Sequence, residues 1–140
     1  MRLTLMVLMG LPAAGKSTYA GKQLGYVTYT ADSIRAGERP FAAFARVAKG
    51  VEETLRAQRS VIVDACSLLP ANRVRMLHLG RAAGAYCVLT VLETDTSICL
   101  RREVARGGPV RDWSLLAQQL ITARNVARRE GWDSIRGVRP

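Results

Sequence analysis

Gly10-Leu11-Pro12-Ala13-Ala14-Gly15-Lys16-Ser17 is the stretch that decides the fold, because it satisfies G-x-x-x-x-G-K-[ST] at every fixed position. Its two glycines let the backbone wrap around phosphate oxygens with N–H groups turned inward. In this pattern Lys16 reaches the β- and γ-phosphates and Ser17 offers its hydroxyl to Mg²⁺. A helix starting here presents its positive end to the anion. The flanks agree with that reading. Leu3 to Met9 (LTLMVLM) is an unbroken apolar run, as expected for a parallel strand covered on both faces. Lys16 to Leu24 is helix-compatible and stops at Gly25.

Outward from the octet, strand and helix signals alternate. Tyr26 to Thr30 (YVTYT) reads as a second strand, and Phe41 to Gln58 as an amphipathic helix with apolar residues at three-and-four spacing. Ser60 to Val63 is a third strand that ends at Asp64. Pro70 to Ala83 follows as a helix, with proline suited to its first turn. Ala85 to Leu92 (AYCVLTVL) is a fourth buried strand. Thr94 to Val104 reads as a helix capped by Thr94, Asp95 or Thr96, and broken by Gly107-Gly108-Pro109. Asp112 caps a last helix to about Arg129, and Gly131 to Val138 is a candidate fifth strand. The alternation predicts an α/β fold: a parallel sheet of four to five strands with helices on both faces and right-handed crossovers. Ligands of such sheets lie beyond the carboxyl ends of the strands.

At 140 residues the chain is expected to form one domain, residues 1–140. No apolar run reaches the roughly 20 residues of a membrane span. The apolar start runs straight into Gly10-Leu11-Pro12 without a signal-peptide cleavage pattern, which predicts a cytoplasmic protein with no membrane partner. Cys66, Cys87 and Cys99 are odd in number and form no C-x-x-C pair, as expected of reduced, mostly buried thiols. The formal net charge is +10, and 18 of the 21 basic residues are Arg. That balance favours polyanionic partners, although an arginine-rich composition alone would also give a merely basic surface.

Polar residues at the strand ends are the candidates for chemistry. Asp32 and Arg35 follow strand two in TADSIR, spaced i, i+3. A carboxylate there could accept the proton of an attacking hydroxyl or simply cap the next turn, and an arginine there could clamp a phosphate. Asp64 ends strand three, where an acid can hold Mg²⁺ through water or help bind substrate. Arg101, Arg102 and Arg106 lie past strand four. Arg102 and Arg106 share a helix face, fitting either a lid that neutralises transferring phosphoryl oxygens or a solvated basic face. Gly107-Gly108-Pro109 would hinge or cap that lid. Thr18 extends the phosphate contacts. Arg73 and Arg75 read as exposed arginines, His78 as a structural residue on an amphipathic position, and Trp113 and Trp132 as packing residues.

GLPAAGKSTYA, ADSIR, VIVDAC and RREVAR, in this order and with these gaps, resemble the kinase domain of polynucleotide 5′-hydroxyl kinases, relatives of the zeta-toxin-like small P-loop kinases. The resemblance covers roughly residues 3–110. It implies a three-layer P-loop NTPase sandwich with a helical arginine lid at about residues 94–111. It also implies ATP or another NTP with Mg²⁺, and γ-phosphate transfer to the 5′-OH end of DNA or RNA. Lys16, Asp32, Arg35 and Arg106 then fall on catalytic positions, with Asp32 as general base. Gly10, Ala13, Ala14, Gly15, Lys16, Ser17, Thr18, Arg102 and Arg106 fall on nucleotide-binding positions, and Ser17 and Asp64 on the metal. Two departures stand out: Ser33 where the family often has a second acid, and Cys66 where it commonly has Asn. The rival readings are a kinase of a small molecule or of a hydroxymethylated base in DNA, and a nucleotide-binding regulator or NTPase. Oligomeric state is not legible.

Overall fold

The apolar run at the start of the chain faces two ways. In β1 (Thr4–Met9) Leu5, Val7 and Met9 enter one hydrophobic cluster, while Met6 and Leu8 enter another on the opposite face. This is the period-two consequence of a strand covered on both sides. The computed structural model describes residues 1–30 and 40–140. Within them the order continues as α1 (Lys16–Gly21), β2 (Val27–Thr30), α2 (Pro40–Arg56), β3 (Val61–Asp64), α3 (Pro70–Ala82), β4 (Tyr86–Leu92), α4 (Thr96–Ala105), α5 (Trp113–Ala127) and β5 (Ser134–Val138). These strands form one parallel sheet in the order β2-β3-β1-β4-β5.

The expected α/β architecture is therefore present, fifth strand included. Val47, Val51 and Leu55 of α2 and Met76 and Leu77 of α3 cover one face of the sheet. Ala20 after the octet and Cys99 of α4 pack on the other. The last helix serves both clusters, through Ala123 and Ala127 on the first and Trp113 and Leu116 on the second. Both tryptophans pack as expected, and Cys87 and Cys99 are buried free thiols. Among the described residues no helix is long and apolar enough to cross a membrane.

Three readings need correction. The first helix ends at Gly21 rather than Leu24, because Lys22 and Gln23 bond three residues back, to Tyr19 and Ala20, before Gly25 turns at φ +85°. His78 is exposed, not set into a packed face. Arg73 is not exposed at all, at 0%. Its Nε and Nη2 donate to both carboxylate oxygens of Glu130 (3.0 and 2.8 Å), and its Nη1 donates to the Ser67 carbonyl (2.9 Å). The pair joins α3 to the end of α5 and fixes the loop that leaves β3. A second polar tie holds β5 to β4. Asp133 accepts from the Cys87 amide (2.8 Å) and from Arg81 (2.9 Å), and these bonds hold its carboxyl below its ordinary value of 3.8.

Arg73→Ala should cost about 3–5 kcal/mol in urea unfolding, since it strands a buried carboxylate. Replacing both partners by apolar residues of similar size should recover most of that loss. For Asp133 the folded pKa lies below the unfolded one. Its contribution is full above 3.8 and fades as pH falls through the depressed value. Unfolding curves of wild type and Asp133→Asn should thus differ by a constant amount near neutrality and converge in stronger acid.

Candidate nucleotide-phosphate site

Between Met9 and Lys16 the chain leaves a buried strand and enters a helix, and its backbone polar groups need partners. The Gly10 amide donates to the Cys66 carbonyl (3.1 Å), which ties the loop to the end of β3. Four loop carbonyls are claimed by donors. The Lys16 ammonium bonds the Leu11 carbonyl at 2.8 Å and the Gly10 carbonyl at 3.4 Å. Arg102 Nη1 donates to the Ala13 carbonyl (3.2 Å), and Thr94 Oγ1 to the Ala14 carbonyl (2.7 Å). In a trans peptide the N–H points away from the preceding C=O, so these bonds set which way the loop amides face. Gly15 begins the helix at φ +99°, a conformation that glycine adopts without a Cβ penalty. The first-turn amides, through Thr18, have no partner within the helix. Ala13 also sits in the left-handed region, at φ 63°, which costs a non-glycine residue about 1 kcal/mol.

Asp64 meets this loop from β3. It is 4% exposed, and its Oδ2 accepts a 2.6 Å hydrogen bond from Ser17 Oγ. A hydroxyl and a carboxylate in contact supply the hard oxygens that Mg²⁺ takes, with water and phosphate oxygens completing an octahedron. No group of three or more His, Cys, Asp or Glu side chains able to hold a metal occurs among the described residues.

The loop opens into a cleft of about 880 Å³. Lys16, Ser17, Thr18, Thr30, Asp64, Arg102 and Arg106 all line it, so one hollow gathers the strand-end acid, the octet and the post-β4 arginines. Arg101 is exposed and does not line the cleft, and Arg73 is held by Glu130. Asp32 and Arg35 lie outside the described residues. Thr30, the last described residue before them, is on the cleft wall and in register with Asp64 across the β2–β3 pair.

Sequence reasoning leaves out several residues of the wall: Lys22, Glu103, Arg111 and Pro140. In sequence Thr94 reads as one of three candidate helix caps. The helix instead starts after Asp95, without a side-chain capping bond, while the Thr94 hydroxyl reaches back to the loop. Glu103 was legible in part, since Glu103 and Arg106 are spaced i, i+3. Arg111 carried no signal, because it enters the cleft only after the Gly107-Gly108-Pro109 turn.

A family model described as an AAA domain matches residues 5–130. No curated protein matches the chain in sequence. Among solved structures, a candidate kinase from Chloroflexus aurantiacus J-10-fl is 18% identical with a TM-score of 0.67, over 98% of this chain and 88% of that one. A gluconokinase from Sinorhizobium meliloti 1021 is 20% identical with a TM-score of 0.59, over 99% and 85%. A chain in the structure of a Pnkp1/Rnl/Hen1 complex is 23% identical with a TM-score of 0.55, over 72% of this chain and 39% of its own length. At these identities the likeness is one of fold.

The Ser17–Asp64 contact predicts a metal-dependent effect. Asp64→Asn should weaken ATP binding in Mg²⁺ roughly ten- to a hundredfold, by analogy with the loss of residues that orient metal ligands. Binding in EDTA should change little. Calorimetric titrations under the two conditions check this, and an equal loss in both would remove Asp64 from the metal.

Proposed function

The chain belongs to the AAA domain family, and from that premise we propose that it transfers the γ-phosphate of ATP, with Mg²⁺, to the 5′-OH end of DNA or RNA. The observation that carries the reading is the cleft lined together by the octet, the Ser17–Asp64 pair and Arg102 and Arg106. A protein that only bound nucleotide would need a phosphate cradle. Phosphoryl transfer also needs cations where charge spreads over the equatorial oxygens of the moving group.

In this reading Gly10, Ala13, Ala14, Gly15 and Thr18 contribute the loop and first-turn contacts to the phosphates. Lys16, already placed in the cleft and only 7% exposed, neutralises the β- and γ-phosphates. Ser17 and Asp64 would hold Mg²⁺, the carboxylate adding negative charge beside the hydroxyl it accepts from. The ion would draw charge from the leaving phosphate oxygens. Asp32 takes the proton of the attacking hydroxyl and Arg35 orients the acceptor, both assigned from the motif after β2. Arg106, with Arg102, acts from a lid spanning about residues 94–111, and the whole forms one kinase unit over residues 1–140. The acceptor is assigned from the Asp-x-x-Arg motif and from the net charge of +10, which suits a polyanion.

Labelled γ-phosphate should pass to 5′-OH oligonucleotides, and Asp32→Ala should lower kcat/KM by about 10²–10⁴-fold, the range for a lost general base. Transfer to the oligonucleotide should fall steeply with added salt, because bound phosphates release counterions. Absence of transfer to any DNA or RNA end sinks the acceptor assignment. A salt-insensitive transfer to a small alcohol would favour the small-molecule rival.

A further inference from the structure

Glu103 is an acid in a cleft built for anions, and the reaction described above gives it no task. It lies on α4, is 5% exposed, and is held by two arginines. Arg106 Nη2 donates to Oε2, and Arg111 Nη2 to Oε1 at 3.3 Å. Their hydrogen bonds keep the Glu103 carboxyl below the usual glutamate range, so it is charged when the arginines are in place. The loop between the two arginines closes onto this carboxylate. A Cβ added at Gly108 would stand only 2.7 Å from Glu103 Cδ, so a side chain there would push the carboxylate out of its present place.

The geometry of the pairing is end-on. Each guanidinium spends one terminal nitrogen on Glu103 and makes no other hydrogen bond to a described residue. A guanidinium carries five donors. The remaining edge of each is thus unclaimed by the described residues, and both side chains line the cleft whose wall includes Lys16 and Ser17. A carboxylate that grips two arginines by one corner fixes their direction and leaves the fork that meets a phosphate bidentately.

We propose that Glu103 is a positioning residue that presents Arg106 and Arg111 together to the triphosphate, and that Arg111 is a further phosphate-binding residue of the cleft. The inference rests on the nucleotide reading above and deepens it. It gives the cleft two phosphate-binding parts: the octet with Lys16, and a carboxylate-braced pair of arginines. Glu103 acts only through those arginines, so its own charge, which opposes an incoming anion, is outweighed by the order it imposes.

The test is equilibrium binding of Mg²⁺·ATP to the intact chain, with unfolding curves confirming that each variant is folded. Arg111→Ala should weaken binding about tenfold, the lower end for a hydrogen bond to a charged group, with Arg111→Lys recovering part of it. Glu103→Gln keeps the shape against Gly108 and should weaken binding about fivefold, the scale of coupling within one charge network. In an Arg106→Ala/Arg111→Ala background the same Glu103→Gln change should no longer weaken binding and should tighten it slightly, because only the carboxylate's repulsion of the anion is left to remove; a merely structural role would weaken both backgrounds. Three results overturn the proposal: Arg111→Ala binding like wild type, Glu103→Gln binding more tightly when both arginines are present, or Glu103→Gln weakening both backgrounds equally. Lost binding in Lys16→Ala alongside intact binding in Arg111→Ala would leave the nucleotide reading standing without this inference. A wild-type chain that binds no nucleotide would remove both.

Discussion

Everything around the cleft depends on the hydrogen bond between Ser17 Oγ and Asp64 and on its backbone companion from the Gly10 amide to the Cys66 carbonyl. Together they pin the segment after β1 to the end of β3, its neighbour in the parallel sheet. A loop in this place carries several buried backbone groups, each costing free energy if left unpaired. The structure satisfies the carbonyls from the far side: Lys16 within the motif, Thr94 just past β4, and Arg102 on α4. The same bonds that meet the backbone's needs also orient the loop and bring α4 over it.

Charge is distributed by the same logic. Glu93 takes Arg124, Asp133 takes Arg81 and Glu130 takes Arg73, all away from the cleft. These acids are spent on anchoring α5 and β5, and they offset arginines that would otherwise add to the surface field. In the cleft the balance tips the other way. Lys16, Lys22, Arg102, Arg106 and Arg111 face Asp64 and Glu103. The lining thus carries five cations against two carboxylates, an arrangement that raises local anion concentration and encounter rates.

The sequence made the strands, the octet and the strand-end acid legible because each depends on local pattern. β1 and β4 are apolar without interruption since both faces are covered, and Asp64 is polar because a strand ends there. Arg73 and Arg111 were misjudged or missed for the opposite reason. Arg73 finds Glu130 at a separation of 57 residues, and nothing within α3 marks that position as the one that turns inward. Arg111 reaches the cleft by way of a glycine turn whose direction depends on packing against Glu103. Long-range ion pairs have no period, so pattern reading assigns their members to the surface by default. The Asp32-Ser33-Ile34-Arg35 motif is the reverse case. It is selective in sequence and lies outside the described residues, so its assignment still rests on spacing and resemblance.

The cleft also works against the fold that builds it. Ala13 is held at a left-handed φ, the Lys16 ammonium is almost buried, and several cations line one cleft. Each of these features costs stability in the free protein, by strain, by desolvation or by like-charge repulsion. A triphosphate bound as proposed would offset the last two, because it supplies countercharge to the cations of the cleft. Ligand that binds only the folded form stabilises it by mass action, so binding energy and folding energy are shared at this site. The buried Arg73–Glu130 pair and the two-faced apolar core lie outside that exchange. They carry the structural load that allows the loop and its arginines to remain incompletely satisfied until an anion arrives.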